Sequence, residues 1–223
     1  MGKKYEDLKQ KIDRTKIYSS EEACELVKQV SLTKFDWTVE AHIKTWANPK
    51  YNDQMIRGTV VLPNGSWKTP KVAAYVDEDK KDEASEGGAD IVGNEDLYNK
   101  IENKDIDFDI LVTTPEKMKE LAKVAKILWP QGVMPSPKAW TVSNDIKWTV
   151  EELKKGRIEF KLDRTWNIHV PIGRISFDSS QIKENLETLI SAIQESRPEG
   201  VKGKLIRKIV IAPTMWPGVK VKV

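Results

Sequence analysis

The side chains that could serve as nucleophiles, bases or metal ligands are few in this sequence. Two histidines, His42 and His169, and one cysteine, Cys24, occur among 223 residues. A single thiol cannot close an internal disulfide, and two histidines with one thiol give no cluster of soft ligands for a structural zinc. Acidic pairs such as Glu151-Glu152 are typical of solvated helix faces. We therefore expect no metal, no cofactor and no catalytic residue.

Motifs that would position a reacting group are missing as well. The chain has no G-x-G-x-x-G after an early strand, no G-x-S-x-G, no H-E-x-x-H and no C-x-x-C. The stretch LPNGSWKT, Leu62 to Thr69, ends in Lys-Thr like a phosphate loop, but Leu62 stands where that loop requires its first glycine. Alternation places both histidines on polar strand faces, which favours a surface or RNA-contact role over that of a general base.

Length and composition describe an ordinary globular chain. Hydrophobic residues make up 39% and charged residues 32% of the sequence, which suits one large or two modest domains. The N-terminus is charged from its third residue and enters no apolar stretch, so we expect neither a secretion signal nor a membrane anchor. With one unpaired cysteine, these features predict a cytoplasmic protein.

Charge is distributed unevenly along the chain. Residues 68 to 156 contain 14 Lys, no Arg and 18 acidic residues, a net charge of −4, whereas the remaining residues have a net charge of +7. Arginine suits bidentate phosphate contacts and stacking on bases, so this polarity indicates a polyanion partner for the outer segments. The alternative is that charge varies this much between domains by chance.

The outer segments have an α+β pattern. A helix is predicted after Ser19, and residues 38 to 45 alternate like a half-buried strand. Residues 55 to 62 predict a second strand, closed by the turn Pro63-Asn64-Gly65. After Gly156, two alternating strands, a helix and two further strands follow.

The middle of the chain is of a different type. Short apolar strands at 71 to 76, 89 to 93 and 108 to 114 alternate with helices, one of them beginning at Pro115. This alternation predicts parallel βαβ units in a small three-layer α/β domain. We predict an α/β (α+β) fold: a discontinuous α+β domain, 1–67 and 157–223, with an inserted Rossmann-like domain, 68–156. Trp67, Lys155 and Gly156 would then form the hinge.

Six ordered segments resemble the bacterial ribosomal protein L-one family. They are TKFDWTVE at 33 to 40, DQMIRGTVVLPNG at 53 to 65, GADIVGNEDL at 88 to 97, ILWPQGVMPSPKAWTV at 127 to 142, NIHVPIGRISFD at 167 to 178 and PTMWPGVKV at 213 to 221. The similarity spans nearly the whole chain, and the family has the same split architecture.

The resemblance implies a binding protein rather than an enzyme. Members of the family are structural proteins of the mobile stalk of the large ribosomal subunit, beside the exit site. They bind ribosomal RNA through the two-terminus domain and assist release of deacylated tRNA, and many bind their own messenger and repress its translation. We therefore expect this chain to be a monomeric component of the cytoplasmic ribosome without a membrane partner.

Carried over by motif, the resemblance also implies which residues contact RNA. These are Lys34, Phe35, Glu40, Asp163, Arg164, Thr214, Met215 and Gly218, and the strand alternation adds His169 as an RNA-contact residue. Their chemistry fits recognition of folded RNA by shape and 2′-hydroxyl contacts. Thr214 can donate and accept hydrogen bonds, Phe35 and Met215 can pack on sugar or base, and Lys34 and Arg164 can reach phosphates. Taken alone, the two apolar residues could equally be core and the two cations simply solvated.

The tryptophans do not fit this pattern. The chain has eight Trp against four Phe and five Tyr, and several Trp lie in turns, where the permissive backbone of glycine is expected. The family pattern has glycine at six of the positions: Trp46, Trp67, Trp129, Trp140, Trp166 and Trp216. One interpretation is exposed stacking platforms for unpaired bases. The hypothesis we prefer is that the source organism decodes UGA as glycine and that these codons were translated as tryptophan.

Two alternatives to a ribosomal structural protein remain open from sequence. An α/β enzyme would use the inserted domain as a nucleotide site, but the loop after Val76 reads DEDKKDE, and its acidic residues would repel phosphate. A translational repressor acting away from the ribosome would use the same RNA surface, and the sequence does not separate it from the ribosomal protein.

Overall fold

The structure, a computed structural model, describes residues 3–13, 15–31, 35–65 and 69–222. Helices and strands are numbered in chain order. The first part of the chain contains α1 (Lys3–Gln10), α2 (Ser20–Val30), β1 (Thr38–Thr45) and β2 (Arg57–Val61). The middle contains β3 (Val72–Tyr75), α3 (Lys81–Glu86), β4 (Ile91–Gly93), α4 (Glu95–Glu102), β5 (Ile110–Thr113), α5 (Met118–Leu121), α6 (Ala125–Gln131) and α7 (Ile146–Lys154). The last part contains β6 (Arg157–Lys161), β7 (Asn167–Arg174), α8 (Ser179–Glu195), β8 (Ile206–Pro213) and β9 (Val219–Val221).

The chain separates into two compact units, one of which is built from both ends of the polypeptide. This first unit comprises Met1–Trp67 and Ile158–Val223, and the second comprises Lys68–Arg157. The hydrophobic core of the first unit draws only on residues from the two outer segments. The cores of the second unit draw only on residues between Val72 and Leu153.

A four-stranded antiparallel sheet organises the first unit. Its strand order is β7-β1-β8-β9, so β1 is a central strand although it comes first in the chain. The alternation of β1 buries Val39, Ala41 and Ile43, as the sequence predicts. Helices α2 and α8 pack against each other and form one core with these residues. The opposite face of this sheet is therefore left to polar side chains.

Local sequence explains where the elements of this unit begin. Ser19 caps α2 in a capping box with Glu22, which satisfies backbone N–H groups at the helix start. The predicted turn after β2 is anchored by buried Asn185 of α8, whose Oδ1 accepts the backbone N–H of Asn64 at 3.1 Å. Strand β2 pairs with β6 in a separate two-stranded sheet.

The second unit is a three-layer α/β structure. Its parallel sheet has the order β4-β3-β5. One face packs on α4, α5 and α6, and the other packs on α3 and α7. Together with the first unit, this arrangement confirms the predicted α/β (α+β) fold class. No helix among the described residues has the length and apolar character needed to cross a bilayer.

Some predicted boundaries were wrong. The helix expected to begin at Pro115 begins at Met118, and a 3₁₀ turn over Ala122–Val124 divides it into α5 and α6. Helix ends depend on a few local hydrogen bonds, which sequence pattern defines poorly. At the predicted hinge, Lys155 is the C-cap residue of α7, and Gly156 follows with φ +99°. The third predicted hinge residue, Trp67, lies outside the described residues.

Candidate nucleic-acid interface

The outer face of the four-stranded sheet carries the titratable and polar residues of β1. Because buried residues alternate with partly exposed ones, Glu40, His42 and Lys44 share this face. The strand register places His169 of β7 opposite His42 and Lys208 of β8 opposite Lys44. Polar groups from three strands therefore meet on one side of the sheet.

A row of close contacts links five polar residues of this face. The Thr214 hydroxyl donates to Oε1 of Glu40 at 2.6 Å, and Oε2 of Glu40 lies 3.7 Å from Nε2 of His42. Nδ1 of His42 lies 2.7 Å from Nδ1 of His169. Nε2 of His169 lies 3.4 Å from Oδ2 of Asp163. We call Thr214, Glu40, His42, His169 and Asp163 the polar row; four of its members are in the predicted RNA-binding set.

Asp163 is held in place by the turn that precedes β7. Its Oδ1 accepts the backbone N–H groups of Thr165 at 2.8 Å and Asn167 at 2.7 Å. Burial raises the pKa of Asp163, but the hydrogen bonds from Thr165 and Asn167 and the charge of His169 outweigh it, so the pKa is lower than usual. Asp163 is therefore an ionised acceptor whose position is set before any ligand binds.

Two large apolar side chains lie at the end of the sheet where β1 begins. Phe35 is 64% exposed and Met215 is 83% exposed, so the core-packing interpretation of both residues is wrong. The Phe35 ring packs against Trp37 with centroids 4.5 Å apart. The Thr214 N–H donates to the Thr38 carbonyl at 3.0 Å, which fixes the loop carrying Met215 beside β1. Exposed apolar groups held this way can pack on sugars or bases.

The remaining predicted contacts are distributed around this face. Arg164 is exposed in the turn between β6 and β7 and lines an open groove of about 520 Å³ with Met55 and Lys161. Gly218 precedes β9, and a Cβ there would lie 2.6 Å from Cγ1 of Val210. Lys34 lies outside the described residues. The face thus extends from Phe35 and Met215 at one end of the sheet to Arg164 at the other.

Sequence reasoning missed some residues of this face. Lys44 and Lys208 add two cations beside the polar row. The Arg207 guanidinium stacks 4.6 Å from the ring centroid of Trp46, at the end of β1 where Arg164 also lies. His42 was predicted only as a surface or RNA-contact residue, and its contact with His169 depends on a strand register that joins positions 127 residues apart.

The suspected glycine positions fall into two groups. Trp140 and Trp166 have φ of 58° and 69°, the left-handed region that favours glycine. Trp46 and Trp129 are 57% and 75% exposed, and Trp216 packs partly against the core with its indole Nε1 buried and unpartnered. Trp67 lies outside the described residues.

Metal-ligating and nucleophilic side chains are sparse among the described residues. Within the described ranges, His, Cys, Asp and Glu side chains form no group of three or more that could hold a metal ion. Burial raises the pKa of the Cys24 thiol to about 11, and a protonated, buried thiol is a poor nucleophile.

Comparison with known proteins gives consistent matches. Residues 27–217 match the model of the ribosomal protein L1p/L10e family. The large ribosomal subunit protein uL1 of Persephonella marina is 48% identical over 226 residues, covering 100% of this chain and 93% of that protein. The proteins of the same name from Thermosipho africanus and Kosmotoga olearia are 46% and 45% identical, covering 99% and 98% of this chain and 95% of each relative.

Proposed function

Because the chain belongs to the ribosomal protein L1p/L10e family, we propose that it is a structural constituent of the large ribosomal subunit that binds ribosomal RNA through the outer face of its four-stranded sheet. Family membership also confirms the expected ribosomal, cytoplasmic location. The RNA site combines the polar row with Phe35, Met215, Arg164 and Gly218.

The observation that carries this proposal is the polar row. Its contacts fix donors and acceptors from β1, β7, the residue after β8 and the turn before β7 in one arrangement. Folded RNA is recognised largely through shape and 2′-hydroxyl contacts, so a preformed surface binds without a large ordering cost. The apolar groups Phe35 and Met215 add contact area at one end of it.

The alternative of an α/β enzyme with a nucleotide site is wrong. The family and the relatives are ribosomal proteins, a structural class rather than an enzymatic one. Local structure agrees, because the loop after β3 carries Asp77, whose carboxylate pairs with Lys117 at 3.0 Å. The chain therefore has an acidic residue in the loop after β3, where a phosphate-binding loop would need glycine.

The finer parts of the proposal rest on the family resemblance. The RNA partner is the mobile stalk near the exit site, where the protein, as a monomer, assists release of deacylated tRNA. The same face binds the protein's own messenger and represses its translation. Because one face serves both RNAs, a stalk-RNA fragment should displace the messenger leader competitively.

These finer parts have direct tests. Competition between a labelled stalk-RNA fragment and the labelled messenger leader tests whether both RNAs bind the same face. Simultaneous binding of the two RNAs would contradict this. Ribosomes depleted of the protein should release deacylated tRNA more slowly in a chase experiment, and adding back the purified protein should restore the rate. Unchanged release would remove the tRNA role and leave rRNA binding intact.

Two substitutions test the RNA face itself. We expect Met215→Ala to weaken stalk-RNA binding about tenfold, because burying a methionine side chain against RNA contributes up to about 1.5–3 kcal/mol. Thr214→Ala should weaken binding about threefold to tenfold, since it removes a hydrogen bond worth about 1 kcal/mol and releases Glu40. Binding is measured by fluorescence anisotropy at fixed salt.

Matched controls exist on the same unit. Thr188→Ala removes a hydroxyl that donates to the Glu184 carbonyl of its own helix, and Ile17→Ala removes an apolar side chain that is 61% exposed. Both controls should bind RNA like the unsubstituted protein. If Thr214→Ala and Met215→Ala bind normally while remaining folded by circular dichroism, RNA binds another face.

A further inference from the structure

The two histidines of the chain are joined across the sheet in an unusual way. His42 of β1 and His169 of β7 are register partners with ring centroids 4.9 Å apart. The nitrogens that face each other are both Nδ1, 2.7 Å apart. Two bare lone pairs at this distance repel, and two N–H groups would clash, so one hydrogen lies between the rings.

The outer nitrogens of both rings face carboxylates. Nε2 of His42 lies 3.7 Å from Glu40, and Nε2 of His169 lies 3.4 Å from Asp163. Carboxylates accept hydrogen bonds and do not donate them when ionised, and the hydrogen bonds to Asp163 keep its pKa low. Both contacts are at ion-pair distance, and a facing negative charge favours a hydrogen on each Nε2. Three hydrogens on two rings make the pair a single cation.

A second added proton is disfavoured. It would place N–H groups on both facing nitrogens and break the contact between the rings. Burial lowers the pKa of His42 and the charge of His169 lowers it further, against the opposing effect of Glu40. The other charged groups facing the pair are Lys44 on its own strand, Lys208 on β8 and Asp163 before β7. The two lysines also oppose a further positive charge.

We infer that His42 and His169 share one proton and act as a single cation that positions the carboxylates of Glu40 and Asp163, and through Glu40 the hydroxyl of Thr214, for contact with RNA. This inference rests on the proposed RNA-binding function of the face. His42 is thus a positioning residue of the RNA site.

The shared proton makes RNA binding depend on pH in two directions. Above the pH at which the pair loses its proton, one Nε2 is bare and faces a carboxylate. The contact between this nitrogen and the carboxylate is then lost. Below the pH at which a second proton binds, the facing nitrogens repel each other. Affinity is therefore highest in a middle window and falls on both sides of it within about pH 5 to 8, the range in which histidines change charge.

The experiment measures this profile with a stalk-RNA fragment at constant ionic strength, using the full chain. The unsubstituted protein should lose affinity about tenfold between the optimum and each limb. His42→Gln and His169→Gln should each flatten the profile, and the double variant should bind no worse than either single variant, because the two rings act as a unit. His42→Asn, whose amide occupies the place of Nδ1, should recover affinity without recovering the pH dependence.

Two comparisons distinguish a failure of the shared-proton inference from a failure of the proposed RNA face. Thr214→Ala should lower affinity at every pH while keeping the shape of the profile, because the histidine pair is intact in this variant. If the double Gln variant keeps the profile of the unsubstituted protein, titration of the RNA explains it and the shared proton is refuted. If Thr214→Ala and Met215→Ala bind normally, the proposed face itself is wrong.

A second readout does not depend on RNA or on the folding of variants. Nitrogen chemical shifts of the imidazole rings report tautomer and charge, and only two histidines contribute signals. A shared proton predicts that the signals of both rings change together with pH, and that one Nε2 signal moves to the position of a bare nitrogen as the pair loses its proton. Two independent titrations would overturn the inference.

Discussion

At two turns, a tryptophan occupies the left-handed backbone conformation that favours glycine. Trp166 has φ 69° in the turn before β7, and its carbonyl accepts the N–H of Thr45 at 2.9 Å. Trp140 has φ 58°. A bulky residue in the left-handed region costs of order 1 kcal/mol. These two positions support the hypothesis that glycine is the natural residue there.

A stability measurement tests the strain. We expect Trp166→Gly to raise the free energy of unfolding by about 1 kcal/mol, because glycine adopts this φ without strain. Trp46→Gly is the matched control, since Trp46 is similarly exposed, is not a positive-φ residue and stacks with Arg207. The control should lose about 0.5–1 kcal/mol. Urea unfolding measures the free energy of unfolding of both variants. An equal loss of stability in the two variants would contradict the strain explanation.

The identity of the six positions has its own test. If UGA is read as glycine in the source organism, protein purified from those cells should have an intact mass that matches glycine at Trp46, Trp67, Trp129, Trp140, Trp166 and Trp216. A mass that matches eight tryptophans would end the hypothesis and leave the stacking-platform interpretation. Glycine at 166 would also let RNA approach the backbone closely.

At the scale of elements, strands were more predictable than contacts between them. The alternation of Val39, Ala41 and Ile43 identifies β1 and its buried face because side chains alternate strictly along a strand. The pairing of His42 with His169 could not be predicted, since it depends on register between distant strands and on a β-bulge between Val39 and Glu40. Exposure of Phe35 was equally hidden, because apolar composition alone favours the core.

The end of α7 is an element whose geometry depends on one residue. Gly156 directly follows the last helical turn with φ +99°, and its N–H donates to the Leu153 carbonyl at 3.2 Å. This is the position after a helix that glycine commonly occupies. We propose that this segment, with Lys155, forms part of the connection about which the two units move.

Substitutions at this connection should differ sharply. Gly156→Ala should cost about 1–2 kcal/mol in unfolding free energy, because alanine is strained at this φ. Lys155→Ala should cost at most about 0.5 kcal/mol, since the Lys155 side chain is 61% exposed and its ion pairs are with Glu151 and Glu152 of its own helix. Urea unfolding compares the two variants, and a loss that is larger for Lys155→Ala would contradict the conformational explanation.

At the scale of the molecule, charge and cores divide along the same boundaries. The outer segments have a net charge of +7 and the middle of the chain −4, and each region supplies its own hydrophobic core. Composition could indicate which region meets a polyanion. It could not locate the face, because the contacts of Glu40, Asp163 and Thr214 come from segments that only the folded sheet brings together.

This division predicts where RNA affinity lies. A chain joining residues 1–67 to 157–223 through a short flexible linker should keep most of the stalk-RNA affinity, because it contains the whole predicted RNA face and its core. Residues 68–156 alone should bind weakly, since an acidic surface repels phosphate.

Binding of the joined chain should fall steeply with salt, as phosphate neutralisation releases counterions. Anisotropy titrations at several salt concentrations measure both affinity and slope, and circular dichroism verifies that each part is folded. Equal affinity of the two parts would refute the assignment of RNA binding to the outer segments, and a joined chain that binds without salt dependence would refute its electrostatic origin.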